Sequence, residues 1–158
     1  MELDKEDLAL IEKTLKDIDF MRYLSPAETG LLIKGFEKAD FKKGDLLIKQ
    51  GTPALVFYIL ASGSVGVYRK RALIDRQVAV LGPGSFFGEM ALLENQPRTA
   101  SVTGESDGTV FTLLRNTFQE VIMRNPMLSD IIRKTAKKRQ DATHEMELKE
   151  RLGNLSGK

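Results

Sequence analysis

Between residues 4 and 18, Leu8, Ile11, Leu15 and Ile18 recur at spacings of three and four, which predicts a helix with one buried stripe. Ser25, Pro26 and Glu28 form a capping-box pattern with proline at the first helical position, so a second short helix should run to about Phe36. From Asp40 the period changes to two. Val56, Tyr58 and Leu60 alternate with Phe57, Ile59 and Ala61, and the same spacing returns in Val65 with Val67 and in Val78 with Val80, which predicts strands. Gly44, Gly51, Ser62-Gly63-Ser64 and Gly82-Pro83-Gly84 punctuate them at short intervals, as in an antiparallel roll or barrel with tight turns. SVTGE and TVFTLLR read as a last hairpin around Ser106, Asp107 and Gly108. Asn116 is expected to cap a helix to about Met123. Pro126 should begin a longer one to about Leu152, with Leu128, Ile131, Ile132 and Thr135 on one side. Further along, Leu148, Leu152 and Leu155 fit either a homodimer seam or a frayed amphipathic tail.

Composition narrows the class. The chain of 158 residues is 42% hydrophobic and 29% charged, an ordinary globular balance for one domain. No apolar run approaches the ~20 residues needed to cross a bilayer, and the opening MELDKEDLAL lacks the basic flank and cleavage site of a secretory signal. No membrane partner is expected. Cysteine is absent, which removes disulfides, thiolate metal sites and thiol nucleophiles and fits a cytoplasmic location. The net charge of +2 does not by itself point to nucleic acid. The densest basic cluster, RKTAKKRQ at 133 to 140, reads as the solvated face of a helix. His144 is the sole histidine, so neither a cupin-like metal site nor a Ser-His-Asp set can be assembled elsewhere. No paired acids stand out for acid–base work, and neither catalysis, metal nor cofactor is expected.

One segment carries chemistry: FFGEMALLENQPRTASV, residues 86 to 102. Gly88 lacks a Cβ and permits close approach to its backbone, and the following Glu89-Met90-Ala91-Leu92-Leu93 run favours a helix. The unpaired N–H groups of such a helix start favour an anion, and Arg98 can close on a phosphate with a two-pronged, charge-assisted contact. Glu89 beside an anion site is repulsive unless it has a donor of its own, and a ribose hydroxyl is one. Together these describe a 3′,5′-cyclic nucleotide. A simple Glu89–Arg98 ion pair across the turn accounts for the same spacing equally well.

FGEMALLENQPRTASV resembles the phosphate-binding cassette of the cyclic nucleotide-binding domain family, whose pattern is approximately F-G-E-x-A-L followed by P-R-(T/S/A)-A-x-V. Upstream, KKGDLLIKQGTPALVFYILASGSVGVY resembles the first strands of that family. The resemblance covers roughly residues 20 to 140 and implies an α+β fold, an antiparallel eight-stranded β-roll of jelly-roll type flanked by N-terminal helices and a long C-terminal helix. The expected organisation is a single domain over 1–158, with N-terminal helices in 1–38, the roll in 39–115 and C-terminal helices in 116–152. By resemblance, Glu89 would bind the ribose 2′-hydroxyl and Arg98 the cyclic phosphate, with Gly88, Ala91 and Thr99 at positions that contact ligand through the backbone. Val67, Val78, Ala79 and Leu81 match positions that line the ribose and base; ordinary roll core explains these four equally well. Phe86, Phe87 and Leu92 are assigned to core. Thr99 permits cyclic GMP without requiring it, and cyclic AMP is favoured. Arg139 or Thr143 would cover the base from the last helix. The implied function is a cyclic-nucleotide sensor that signals to a protein effector through its C-terminal helices, with no direct DNA binding. The alternatives are a fold of this family that has lost its ligand and serves as an interaction scaffold, or the sensor piece of a larger transcription factor or channel.

Overall fold

The computed structural model describes residues 2–89, 92, 96–135, 137 and 138. Helix α1 (Lys5–Asp17) leads through a 3-10 turn (Asp19–Tyr23) to α2 (Pro26–Lys34). Eight strands follow: β1 (Glu37–Phe41), β2 (Leu46–Ile48), β3 (Val56–Ser62), β4 (Val65–Arg71), β5 (Ile74–Leu81), β6 (Phe86–Phe87), β7 (Ser101–Gly104) and β8 (Gly108–Leu114). Helix α3 (Arg115–Ile122) comes next, then a helix over 126–135.

Both front helices begin on reciprocal caps. Asp4 accepts from the Asp7 N–H at 2.8 Å while Asp7 accepts from the Asp4 N–H at 3.0 Å. Ser25 and Glu28 do the same at the start of α2, with Pro26 at the first helical position as expected. Each capping carboxylate also reaches a later element. Lys38 Nζ of β1 donates to Asp7 at 3.0 Å, and Asn125 Nδ2, just before the helix over 126–135, donates to Glu28 at 3.3 Å.

The strands form two four-stranded antiparallel sheets, ordered β1-β8-β3-β6 and β2-β7-β4-β5. This is a double-sheet jelly roll. The two sheets enclose Phe41, Leu60, Val65, Phe87, Val102 and Val110. The outer face of the first sheet, through Phe57, Ile59, Phe111 and Leu113, packs on Ile11, Leu15 and Leu32 of the front helices and on Phe118, Leu128 and Ile132 behind. Apolar residues therefore occupy both parities of β3, because that strand is buried on two faces.

Several expectations need correction. SVTGE and TVFTLLR do not form a hairpin: β7 pairs with β2 and β4, whereas β8 pairs with β1 and β3. The connection crosses between sheets, held by Glu105 N–H to Ser64 O at 2.9 Å and Lys43 N–H to Asp107 Oδ1 at 2.9 Å. Asn116 is not a cap. Strand β8 runs straight into α3, the N-cap position is Leu114 with no side-chain bond, and the Leu55 carbonyl accepts the Arg115 N–H at 2.9 Å. Leu8 is 39% exposed, so the buried stripe of α1 rests on Ile11 and Leu15, with Ile18 just past its end. Strand β1 begins at Glu37, ahead of the anticipated boundary at 39. The expected seam at Leu148, Leu152 and Leu155 lies outside the described residues, as does His144.

Candidate ligand-binding site

A cavity of about 220 Å³ opens where β4, the end of β6 and the segment leading into β7 meet the loop after β2. Strand β6 ends on buried Phe87, which stacks on Tyr58 at 4.9 Å between ring centroids and 5° between planes. This fixes the point at which the chain leaves the roll. Gly88 then adopts φ +76°, a left-handed conformation that other residues resist. Leu92, buried and helical, donates its N–H to Glu89 O at 3.0 Å, so a turn starts from Glu89.

The far end of the segment is tied down by its backbone. Pro97 bridges to Pro53, Arg98 N–H donates to Thr52 O at 2.8 Å, and Gly51 N–H donates to Arg98 O at 2.8 Å. Ser101 Oγ accepts from the Gln50 N–H at 2.9 Å. With its main chain held on both sides, Arg98 projects a half-buried guanidinium back across the segment. Nη1 donates to Gly88 O at 3.3 Å and Nη2 donates to Val56 O of β3. A Cβ built on Gly88 would lie 2.8 Å from Arg98 Nη1. The group that approaches this glycine is thus the arginine itself.

Burial lowers the Arg98 pKa, while Tyr58 and the Glu89 carboxylate act in the opposite direction. The guanidinium stays charged, as arginine does in proteins. It is a cation partly removed from water, with neutral carbonyls as its described hydrogen-bond acceptors and a carboxylate near enough to stabilise it. Such a group has much to gain from a phosphate oxygen. Tyr58 donates to Leu47 O at 3.2 Å, and burial raises its pKa against the opposing pull of Arg98, so the phenol stays neutral.

Of the residues anticipated from sequence, Val67, Gly88, Glu89, Arg98 and Thr99 line this one cavity. Val78, Ala79 and Leu81 do not. A bulge between Val67 and Tyr68 puts Ala79 opposite Val67 and leaves Val78 as the extra residue of β5, 55% exposed, while Leu81 packs into the roll core. Ala91, Arg139 and Thr143 lie outside the described residues. Phe87 and Leu92 are core as expected, and Phe86 packs against it. Unanticipated walls come from Ile48, Ala54, Gln96, Pro97, Ala100 and Val102. Four of these fall within the segment already singled out; Ile48 and Ala54 carry no local signal. A larger groove of about 630 Å³ lies among the N-terminal helices, lined by Leu15, Met21, Leu24 and Ile33, without the cassette residues. Among the described residues no group of three metal-ligating side chains occurs, and no helix is long and apolar enough to cross a membrane.

Comparison with known proteins places this arrangement. The model of the cyclic nucleotide-binding domain matches residues 38–125. A cAMP-dependent protein kinase regulatory subunit of Hypocrea atroviridis is 35% identical over 113 residues, covering 72% of this chain and 24% of that protein. A cGMP-dependent protein kinase of Toxoplasma gondii is 32% identical over 118 residues, 74% of this chain and 11% of that protein. The regulatory domain of Toxoplasma gondii PKA, solved with cAMP, superposes with a TM-score of 0.69 at 30% identity, covering 76% of this chain and 46% of that one. The chain thus spans a quarter or less of the length of these two curated relatives.

Proposed function

The chain belongs to the cyclic nucleotide-binding domain family, and from that premise we propose that it binds a 3′,5′-cyclic nucleotide, cyclic AMP in preference to cyclic GMP, as a non-catalytic sensor. The observation that carries the reading is the Arg98 guanidinium, half-buried at the cavity wall and held on the carbonyls of Gly88 and Val56 beside Glu89. The cyclic phosphate takes Arg98 as its counter-ion, and Glu89 accepts from the ribose 2′-hydroxyl. Backbone groups at Gly88, Ala91 and Thr99 complete the cradle, and Val67 packs against the sugar or base. Thr99, exposed at the cavity, is the position whose hydroxyl is available to a base.

Sensing requires that the ligand favour one arrangement of the chain over another. Leu128 and Ile132 of the helix over 126–135 share a core cluster with Phe57 and Phe111 of the first sheet, so the roll and the C-terminal helices are mechanically joined. Movement of these helices toward the base, with Arg139 or Thr143 as cover, would pass occupancy to a protein effector. Isothermal calorimetry with cyclic AMP and cyclic GMP tests the proposal directly. Binding is expected for both, tighter for cyclic AMP, and Arg98→Ala should weaken it roughly ten- to a hundredfold, the equivalent of about 1.5–3 kcal/mol for a charge-assisted contact. Absence of binding by either nucleotide, in protein whose circular dichroism is that of the folded roll, overturns the reading in favour of an interaction scaffold.

A further inference from the structure

The β4–β5 hairpin continues past the cavity wall, and every residue from 69 to 78 is exposed. It closes through a two-residue turn, Ala72-Leu73, between the cross-strand partners Arg71 and Ile74. Turns of this kind need a left-handed residue and ordinarily take Gly, Asn or Asp. Here Ala72 holds φ 55°, Leu73 is 93% exposed and Ile74 58% exposed. The tip thus carries an aliphatic pair in place of polar turn residues. Behind it stand Arg69, Lys70, Arg71 and Arg76, with Asp75 as the single acid between 69 and 76. Arg69 and Arg76 are direct cross-strand partners, a like-charge juxtaposition that weakens a sheet. The whole chain has a net charge of only +2, so the rest of it is net negative while this hairpin concentrates positive charge.

We propose that the β4–β5 tip is a docking point for an anionic lipid bilayer, with Leu73 and Ile74 entering the acyl boundary and Arg69, Lys70, Arg71 and Arg76 meeting headgroup phosphates. The order of chemistry along the hairpin, aliphatic at the end and cationic behind, matches the depth order of an anionic membrane surface. A convex tip suits a bilayer, which needs no preformed pocket; an acidic protein would have to supply both a pocket for Leu73 and a carboxylate rim. The contact lies at the surface and is compatible with the lack of a spanning helix among the described residues. It also revises the expectation of no membrane partner, which rested on the absence of a spanning segment. It is independent of the nucleotide reading, since the tip residues do not line the cavity.

The chain contains no tryptophan, so Leu73→Trp introduces one emission probe at the tip. With vesicles containing phosphatidylserine, the emission should shift to the blue and the protein should sediment with the vesicles, both reversed by high salt. Pure phosphatidylcholine should produce neither effect. Leu73→Glu, and separately Arg69, Arg71 and Arg76 all changed to Gln, should each weaken vesicle binding by roughly tenfold or more, with cyclic-nucleotide titrations of the Leu73→Glu protein unchanged. No blue shift with phosphatidylserine vesicles, or vesicle binding that survives Leu73→Glu, overturns the proposal. So does a shift produced by polyglutamate but not by vesicles, which would assign the tip to an acidic protein.

Discussion

Gly88 is constrained twice over. Its φ of +76° is left-handed, and its missing Cβ leaves room for the Arg98 guanidinium, whose Nη1 would stand 2.8 Å from that carbon. Alanine at this position must therefore either shift the backbone after Phe87 or push the guanidinium off the Gly88 carbonyl. Strain of this kind costs on the order of 1–3 kcal/mol. Gly88→Ala should accordingly lower the melting temperature and weaken cyclic-nucleotide binding by about tenfold or more, with calorimetry as the check. A variant that binds as tightly as the parent would mean that Arg98 does not need this carbonyl as its resting place. The pairing of the two residues was legible only in part. Their ten-residue separation and types stand in the chain, but the positive φ and the direction in which Arg98 reaches depend on Pro53, Thr52 and Gly51, which approach Pro97 and Arg98 from another part of the sequence.

Among the elements, the two N-terminal caps do more than start helices. Burial raises the Asp7 pKa, but the Asp4 N–H and the Lys38 ammonium more than reverse this, and the net shift is downward. Glu28 is lowered chiefly by the Ser25 N–H, with help from the Ser25 hydroxyl and Asn125. A carboxylate depressed in the folded state contributes stability that is complete above its unfolded pKa, about 4, and that is lost as pH falls through the lower folded value. The parent protein should therefore lose stability on acidification below about pH 4. Asp7→Asn and Glu28→Gln should be less stable at neutral pH and show a flatter acid limb, read from melting temperature against pH; an unchanged limb would mean that neither group is linked to folding. The Ser25 box could be read directly because a cap is a local pattern four residues long. Its bond to Asn125, and the Lys38 bond to Asp7, could not, because each partner arrives from a different element. Strand partners failed for the same reason: Val102 of β7 and Val110 of β8 both face the roll interior, so alternation alone made neighbours of two strands that belong to different sheets. In β5, one extra residue opposite Val67 changed which side chains face inward, and a bulge leaves no mark in a period-two pattern.

At the scale of the molecule, the first sheet lies between the second sheet and the helices, and the cavity takes walls from strands of both sheets through Val67 and Phe87. A ligand held there stabilises the closed roll as a unit. At a free concentration of about 100 times its dissociation constant, that linkage amounts to about 2.7 kcal/mol. Saturating cyclic AMP should raise the melting temperature by several degrees, and the rise should fall to about half or less in Arg98→Ala at the same concentration. Equal shifts in both proteins would assign the stabilisation to a place other than the Arg98 cavity. The jelly roll was anticipated from family resemblance together with two-residue periodicity, and the segment from 86 to 102 was recognisable because it is contiguous. Ile48 and Ala54 were not, since they reach the cavity only when the roll closes.

That closure joins the ends of the strand series. Glu37 of β1 lies opposite Thr112 of β8, and Leu46 of β2 opposite Thr103 of β7. During synthesis on the ribosome, β1 and β2 emerge long before the partners that will cover their edges. The second sheet cannot be completed until the chain has been made past residue 104, nor the first until it is past residue 114, and such non-local pairing is slow as well as late. The front helices can form early on their own caps, but the apolar residues of β3 must wait in the growing chain for β8. The nascent chain therefore passes through a stage in which chaperones have exposed strand edges to guard.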